Sequence, residues 1–302
     1  MKTVAPIDVI IPCKDGARFL EECLTSVSTQ TLKPTMIILV DDHSVDMSVE
    51  LAIRWAEENP EVPLVVIGSS GHGPSAARNT GIRASASPYL AFLDADDVWA
   101  PTKLSRQYEL FLESPFRGRL GLVYSDYSVI DEEGLLVPSA KTIHPELNGR
   151  AFRKLARGNL ISGSASAVMV SRDVIDSSGW FDTRLRSAED WDMWRRISRI
   201  ALVTFCSGVE VFIRQHSGQS QSNPKSSAAS AIVHFDKWVR SGHFSFHHYI
   251  HLVTTNSLEV DRAIFGDEYG AHWITRTLFA KPTVTFALLT LKLRRSLFGK
   301  RE

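Results

Sequence analysis

The sequence has few cysteines, no excess charge of either sign and no long apolar run, and each absence excludes a class of protein. Three cysteines among 302 residues are too few and too scattered for a disulfide framework or a zinc cluster. The 34 basic residues balance the 34 acidic ones, so no overall positive charge attracts nucleic acid. No stretch approaches 18 uncharged apolar residues, and no basic region with an apolar stretch opens the chain. We therefore expect a cytoplasmic protein with reduced cysteines, without a spanning helix or a signal peptide.

The first hundred residues contain a regular alternation of strands and helices. Short apolar runs predict buried strands at Asp8 to Pro12, Met36 to Val40 and Tyr89 to Leu93, and a further strand at Leu64 to Ile67. Helical spacing between these runs predicts an α/β fold, with parallel strands covered by helices. Ligands of such sheets bind beyond the carboxyl ends of the strands. Six carboxylates fall there: Asp15, Asp41, Asp42, Asp94, Asp96 and Asp97.

From about Pro101 this rhythm changes. The pattern predicts strands at Leu120 to Ile130 and Ala165 to Val170, a helix at Ala188 to Ile200, and a hairpin at Val203 to Ile213. A Ser-, Gly- and Pro-rich stretch after Ser217 predicts a loop or linker. We therefore expect a catalytic domain over residues 1–218, then a linker and a helical C-terminal extension over 219–302.

The segment LDADD, Leu93 to Asp97, ends a buried strand with three carboxylates in four positions. Like charges this close repel each other, and a hard divalent cation relieves the repulsion. Oxygen ligands suit Mg²⁺ or Mn²⁺, which complete their shell with phosphate oxygens. The alternative interpretation is a solvated loop with a helix cap at Asp97.

A second motif in the same stretch favours a different enzyme class. GHGPSA, Gly71 to Ala76, fits the GxGxxA pattern of a dinucleotide-binding Rossmann fold. Two extra residues separate it from the preceding strand, and Pro74 removes an amide that would hold pyrophosphate. This fingerprint is therefore weak.

Six segments, in this order, resemble the family 2 glycosyltransferases of GT-A type fold. They are VIIPCKDGARFLEECLTSVSTQT, ILVDDHSVD, GPSAARNTGI, YLAFLDADD, GWFDTRLRSAEDWDMWRR and IRQHSG. The resemblance implies a Rossmann-like, mostly parallel central sheet flanked by helices. It also implies transfer of a sugar, with inversion, from a nucleoside diphosphate donor. The stretch after about Gln219 has no pattern of this family.

The resemblance assigns roles to individual positions. It implies that the donor contacts Pro12, Asp15, Asp41, Arg78, Asn79 and Asp94, and that the first three of these line the nucleoside pocket. It implies that Mn²⁺ or Mg²⁺ binds Asp96, that His216 lies on a lid over the diphosphate where it touches the metal, and that Asp190 is the catalytic base. Two positions depart from the family: His43 stands where glycine is usual, and Asp15 where Asn or Glu is commoner.

The pair Glu189-Asp190 agrees with that assignment when its chemistry is considered alone. Both residues fall in the first turn of a predicted helix, whose dipole favours ionised carboxylates. An ionised carboxylate can take the proton of an attacking sugar hydroxyl. The alternative is ordinary helix-start charge. Trp191, beside the pair, suits a sugar platform or core packing, so we group Glu189 and Trp191 as acceptor or support residues.

The sequence leaves three functions open. The first is an enzyme that moves a sugar, from UDP in preference to another carrier, to a carbohydrate or lipid-linked glycan acceptor in cell-surface polysaccharide or glycoconjugate biosynthesis. The second is a sugar nucleotidyltransferase or an NAD-type Rossmann enzyme. The third, a silent binding protein, is disfavoured because Arg78, Asp96 and Asp190 are all present.

The C-terminal segment 283–301 combines an apolar stripe with five cations. This composition suits peripheral contact with the inner face of a membrane. It equally suits a helix docked on the protein's own core or on a dimer partner, so the oligomeric state stays open.

Overall fold

The computed structural model describes residues 4–115, 118–137, 146–156, 159–161, 164–217 and 237. Chain contacts divide the protein into two units, residues 1–183 with 189–219 and residues 184–188 with 220–302. The central sheet and its flanking helices belong to the first unit. Apart from residue 237, the extension predicted over 219–302, including segment 283–301, lies outside the described residues. No helix within the described ranges is long and apolar enough to cross a membrane.

One half of the sheet, the parallel half, has the strand order β3-β2-β1-β4. Its strands are β1 (Ile7–Cys13), β2 (Met36–Asp41), β3 (Leu64–Gly68) and β4 (Tyr89–Phe92). The connecting helices are α1 (Leu20–Ser28), α2 (Ser48–Glu58) and α3 (Pro74–Ala84). Because Cys13 pairs with Asp41 and Asp41 with Gly68, these three strands end at the same edge. The four predicted strands are confirmed to within one residue at each end, and β3, at the end of the sheet, is only partly buried.

The other half, the mixed half, continues from β4 in the order β7-β6-β8-β5, which gives a single eight-stranded sheet. Its strands are β5 (Val98–Trp99), β6 (Leu120–Ile130), β7 (Val168–Ser171) and β8 (Leu202–Arg214). Its helices are α4 (Lys103–Glu113), α5 (Phe152–Leu155), α6 (Arg172–Ser178) and α7 (Glu189–Ile200). β7 runs antiparallel to β4 and β6, β8 runs parallel to β6, and β5 runs antiparallel to β8. The expected mostly parallel sheet flanked by helices is confirmed.

Two details of the mixed half differ from the sequence pattern. The hairpin predicted at Val203 to Ile213 is wrong, because these residues lie in the single strand β8. The register moves from Ser125–Cys206 to Asp126–Val209, so two residues bulge out at a glycine with φ of 100°, Gly208. A bulge and a tight turn use the same small residues. A short 3₁₀ helix, Ala165–Ala167, precedes β7 where a longer strand was expected.

Helices cover both faces of the sheet, because successive side chains of a buried strand point to opposite sides. In β1, Val9 and Ile11 join the core under α1, α2 and α4, whereas Ile10 joins the core under α3, α6 and α7. Helix α3 lies so close to the sheet at Gly81 that an added Cβ would overlap Ile10. With both faces of the sheet covered, the connecting loops lie at the ends of the strands, and the candidate site lies among these loops.

Candidate active site

The three carboxylates of LDADD have three different partners. Asp94 Oδ1 accepts a hydrogen bond of 2.6 Å from Arg78 Nη2. Asp96 Oδ2 lies 3.0 Å from His216 Nε2, across 120 residues of sequence. Asp97 faces inward and is only 2% exposed. Asp94 and Asp96 therefore reach the surface of the site, whereas Asp97 is buried beneath it.

Asp97 joins β4 to the mixed half. Its carboxylate accepts hydrogen bonds from Ser166 Oγ at 2.6 Å and from the amide of Arg214 at 3.1 Å. Burial, and after it the negative charge of Asp96, raises the pKa of Asp97 well above its usual range. The alternative role as a helix cap does not describe this residue, because the next helix, α4, begins only at Lys103.

Arg214, at the end of β8, is a structural residue of the site that the sequence analysis missed. Its buried guanidinium donates to the carbonyl of Asp96 at 3.0 Å and to that of Asp131 at 3.0 Å, and it pairs with Glu22. These contacts fix the strand end that carries His216. Its place in the segment IRQHSG was the one hint in the sequence.

Asp96 and His216 form a donor set suited to a divalent cation. Their side chains are 29% and 16% exposed, so both reach the surface of the site. Burial, and then the neighbouring charge of Asp94, raises the pKa of Asp96. A cation relieves both the desolvation and the repulsion. The carboxylate supplies the oxygen ligand that Mn²⁺ and Mg²⁺ favour, and diphosphate oxygens and water would fill most of the remaining positions beside the single imidazole. The residues present therefore fit the metal that the resemblance implies.

Arg78 connects this end of the site to the first turn of α7. Its side chain is 4% exposed, and it donates to Asp94 at 2.6 Å and to Glu189 at 2.7 Å. Burial opposes its charge, but the two carboxylates outweigh burial and hold its pKa above the ordinary value. Its Nε has no hydrogen-bond partner among the residues that the structure describes. The predicted contact of Arg78 with the donor stays a prediction.

Of the neighbouring carboxylates Glu189 and Asp190, only Glu189 is paired with Arg78, and Asp190 lies outside this network. Its Oδ1 accepts a hydrogen bond of 2.6 Å from the amide of Trp191. Burial, and then the charge of Glu189, raises the pKa of Asp190 to about 7. A general base works best with a pKa near the working pH. The electrostatics therefore suit Asp190 to the role of base.

The side chains of Trp191 and Asn79 both form hydrogen bonds with the backbone of other residues. The Trp191 indole is nearly buried and donates to the carbonyl of Leu155 at 2.7 Å. Of the two roles expected for Trp191, its position fits core packing. Asn79 bonds both sides of its amide to Phe181, at 2.8 and 2.9 Å. A donor contact of Asn79 stays a prediction, since the structure shows it holding the chain ahead of α7.

The residues assigned to the nucleoside lie at the carboxyl ends of β1 and β2. Pro12 is partly exposed in the penultimate position of β1. Asp15 accepts from the amide of Val45 at 2.8 Å, and Asp41 accepts from that of Ser44 at 3.2 Å. One loop therefore positions both carboxylates. The structure brings together the ends of these strands as the alternation predicted.

Histidine replaces the family's usual glycine at position 43, yet the backbone keeps a conformation typical of glycine. His43 has φ of 63° and Asp15 has φ of 49°. Such left-handed conformations cost non-glycine residues on the order of 1–3 kcal/mol, and they concentrate at functional sites. The departure therefore changes the side chain that the loop presents, on a backbone conformation that glycine adopts readily.

Proteins of related sequence are glycosyltransferases. The family model described as glycosyl transferase family 2 matches residues 8–179. An uncharacterized glycosyltransferase of Rickettsia prowazekii is 25% identical over 218 residues, covering 71% of this chain and 65% of that protein. Another, from a Nostoc species, is 35% identical over 142 residues, covering 47% of this chain and 42% of that protein. The chain thus spans less than two thirds of either relative.

Solved structures show the same fold. S. aureus TarS 1–349 in complex with UDP-GlcNAc superposes with a TM-score of 0.61 at 15% identity, covering 85% of this chain and 73% of that one. The mannosyltransferase PcManGT from Pyrobaculum calidifontis, in complex with GDP-Man and Mn²⁺, gives 0.56 at 20% identity, covering 98% and 88%. The family model covers more than half of the chain and the fold agrees. The protein is therefore a member of glycosyl transferase family 2 with a GT-A type fold.

Proposed function

We propose that the protein transfers a sugar from a nucleoside diphosphate donor, a UDP-sugar in preference to another, to an acceptor hydroxyl with inversion. The observation that carries the proposal is the buried ion-pair network Asp94–Arg78–Glu189. It joins the end of β4, which holds the predicted metal ligand Asp96, to the first turn of α7, which holds the predicted base Asp190. Both chemical functions therefore belong to one site.

The proposed transfer begins with the Asp190 carboxylate acting as the base. With Glu189 engaged by Arg78 at 2.7 Å, Asp190 is the carboxylate that takes the proton of the acceptor hydroxyl. The hydroxyl oxygen attacks the anomeric carbon on the face opposite the departing diphosphate. A single displacement of this kind inverts the configuration, and a positioned base contributes roughly 10²–10⁴-fold to its rate.

Asp96 and His216 would hold the cation, and a bound Mn²⁺ or Mg²⁺ would neutralise charge on the diphosphate. Two structural neighbours support the donor class: one is in complex with UDP-GlcNAc and the other with GDP-Man and Mn²⁺. Acceptors of the proposed reaction are carbohydrates or lipid-linked glycans of cell-surface polysaccharide and glycoconjugate synthesis.

The experiment is a donor screen that measures nucleotide release from UDP- and GDP-sugars. Each donor is offered with Mn²⁺, with Mg²⁺ and with EDTA, with and without a panel of sugar acceptors. We expect UDP release that requires the cation and stops in EDTA. Pyrophosphate production from a sugar phosphate and a nucleoside triphosphate would identify a nucleotidyltransferase instead. Release of no nucleotide from any donor would overturn the proposal.

A further inference from the structure

A second group of metal-ligating side chains lies on the loops after β2 and β3. Asp42, His43 and His72 each offer a ligand atom, and these atoms lie within 4.8 Å of one another. The imidazole rings of His43 and His72 have centroids 4.3 Å apart, at an interplanar angle of 38°. Neither histidine belongs to the Asp96–His216 site.

The sheet brings these residues together. β2 and β3 are neighbouring parallel strands that end level, with Asp41 opposite Gly68. Their following loops therefore leave the same edge side by side. Asp42 fastens one loop to the other, because its Oδ2 accepts a hydrogen bond of 2.8 Å from the amide of Gly73. Both histidines are exposed.

An independent observation concerns the other oxygen of Asp42. The residue is 5% exposed, and its Oδ1 has no hydrogen-bond partner within the described part of the chain. His43 Nδ1 lies 3.6 Å from this oxygen, beyond hydrogen-bond distance. A buried carboxylate oxygen without a hydrogen bond is costly. Here it is directed at an imidazole nitrogen, as in an incomplete coordination shell.

We propose that Asp42, His43 and His72 bind a divalent cation of the zinc type. Two imidazoles and one carboxylate suit Zn²⁺, with a water in the fourth position, whereas Mg²⁺ and Mn²⁺ favour oxygen ligands. In tetrahedral Zn²⁺ sites neighbouring ligand atoms are about 3.4 Å apart. The ligand atoms, which lie within 4.8 Å of one another, therefore close by up to about 1.4 Å, a movement open to exposed histidine side chains.

Such a cation would bind the loop after β2 to the loop after β3. The first of these loops contains Ser44, which donates from its amide to Asp41 at 3.2 Å and accepts from the amide of Asp15 at 2.9 Å. The second leads directly into α3 at Pro74. The site therefore lies beside the residues assigned to the nucleoside, and its existence does not depend on the proposed function.

The test is zinc titration of the full chain without nucleotide, in competition with a chromophoric chelator, and Co²⁺ substitution followed by visible absorption. His72→Ala removes one ligand. His43→Gly removes another while accommodating the positive φ. Each variant should weaken the binding of one Zn²⁺ equivalent by at least about 10- to 100-fold, the usual loss when a residue that only orients a metal ligand is removed. The double variant should lose this same single equivalent and no other. Each should also lose the Co²⁺ absorption.

Matched controls separate this site from other imidazoles. His247→Ala with His248→Ala tests background binding outside the described residues, and Asp96→Asn tests the first site; both variants should keep the zinc equivalent. Thermal unfolding confirms that each variant is folded. If His72→Ala binds zinc with the number and affinity of the wild type, the proposal is overturned, whatever His43→Gly does. It is likewise overturned if the wild type binds no zinc.

Discussion

The two halves of the sheet supply the candidate site in different ways. In the parallel half, carboxylates follow directly on strand ends: Asp41 ends β2, and Asp94 and Asp96 come just after β4. In the mixed half, Glu189 begins a helix and His216 follows the strand β8, far along the chain from the groups they meet. The position of the site residues is therefore set by local sequence in the parallel half and by tertiary packing in the mixed half.

Contacts between these halves are what make a single site. Arg78, on a helix of the parallel half, reaches Glu189 across 111 residues. His216 reaches Asp96 across 120 residues. Substitutions in one half at a time can therefore separate two effects. Those in the mixed half should change the proposed transfer step, and those in the parallel half should change donor binding.

The largest effect is expected from Asp190→Asn, which removes the base from the mixed half alone. Asparagine keeps the shape but cannot accept the acceptor's proton, so kcat should fall by roughly 10²–10⁴-fold. Donor affinity, measured by calorimetry, should stay within a few-fold of the wild type. Asp173→Asn, an exposed Asp in the first turn of α6, is the matched control and should leave kcat unchanged. Near-normal turnover by Asp190→Asn would remove Asp190 from the mechanism.

Arg78→Met breaks the connection between the halves. Because Asp94 and Glu189 would lose their shared cation, unfolding free energy should fall by about 3–5 kcal/mol, the usual cost of removing one partner of a buried ion pair. Chemical denaturation measures it. Arg83→Met, on the exposed face of the same helix, loses a ring contact with Trp180 and should cost about 1 kcal/mol or less. Equal costs for the two variants would show that the network contributes nothing to the fold.

Gly81→Ala tests the packing of the parallel half without touching a polar group. The new Cβ would overlap Ile10 and lie 3.2 Å from Val40 Cγ2. Overpacking of this kind costs about 1–3 kcal/mol. Gly68→Ala is the matched control, since its Cβ meets nothing within 4 Å. A thermal unfolding series should show Gly81→Ala melting below Gly68→Ala, and equal melting temperatures would contradict the close approach of α3 to β1.

The smallest effect concerns pH. The pKa of Asp190 is raised to about 7 by burial and by Glu189, so its basic form is lost as pH falls through this value. The ionised fraction, and kcat with it, should drop about tenfold from pH 8 to pH 6. Glu189→Gln removes the neighbouring charge and should move this acidic limb to lower pH. A flat profile between pH 6 and 8 would contradict the role of Asp190.

The sequence predicted the strands of the parallel half well because they are continuous apolar runs, and the candidate carboxylates follow them directly. Asp96 and Asp190 could be proposed as site residues because each lies in a short acidic motif, whereas His216 was proposed from the resemblance alone. The bulge at Gly208 was mistaken for a hairpin turn, since both use the same small residues. Arg214 and the Asp42–His43–His72 group were missed because their contacts depend on register and loop packing, which residue spacing does not encode.

The proposed donor site depends above all on Asp96, from the parallel half, and His216, from the mixed half, holding the cation that binds the diphosphate. The decisive measurement is calorimetric UDP affinity with Mn²⁺ and with EDTA, in the wild type and in Asp96→Asn. We expect Mn²⁺ to strengthen binding to the wild type and to have little effect on the variant, because the diphosphate then faces Asp94 without a cation. UDP affinity that is insensitive to EDTA in the wild type and unchanged in the variant would show that these two residues hold no such cation.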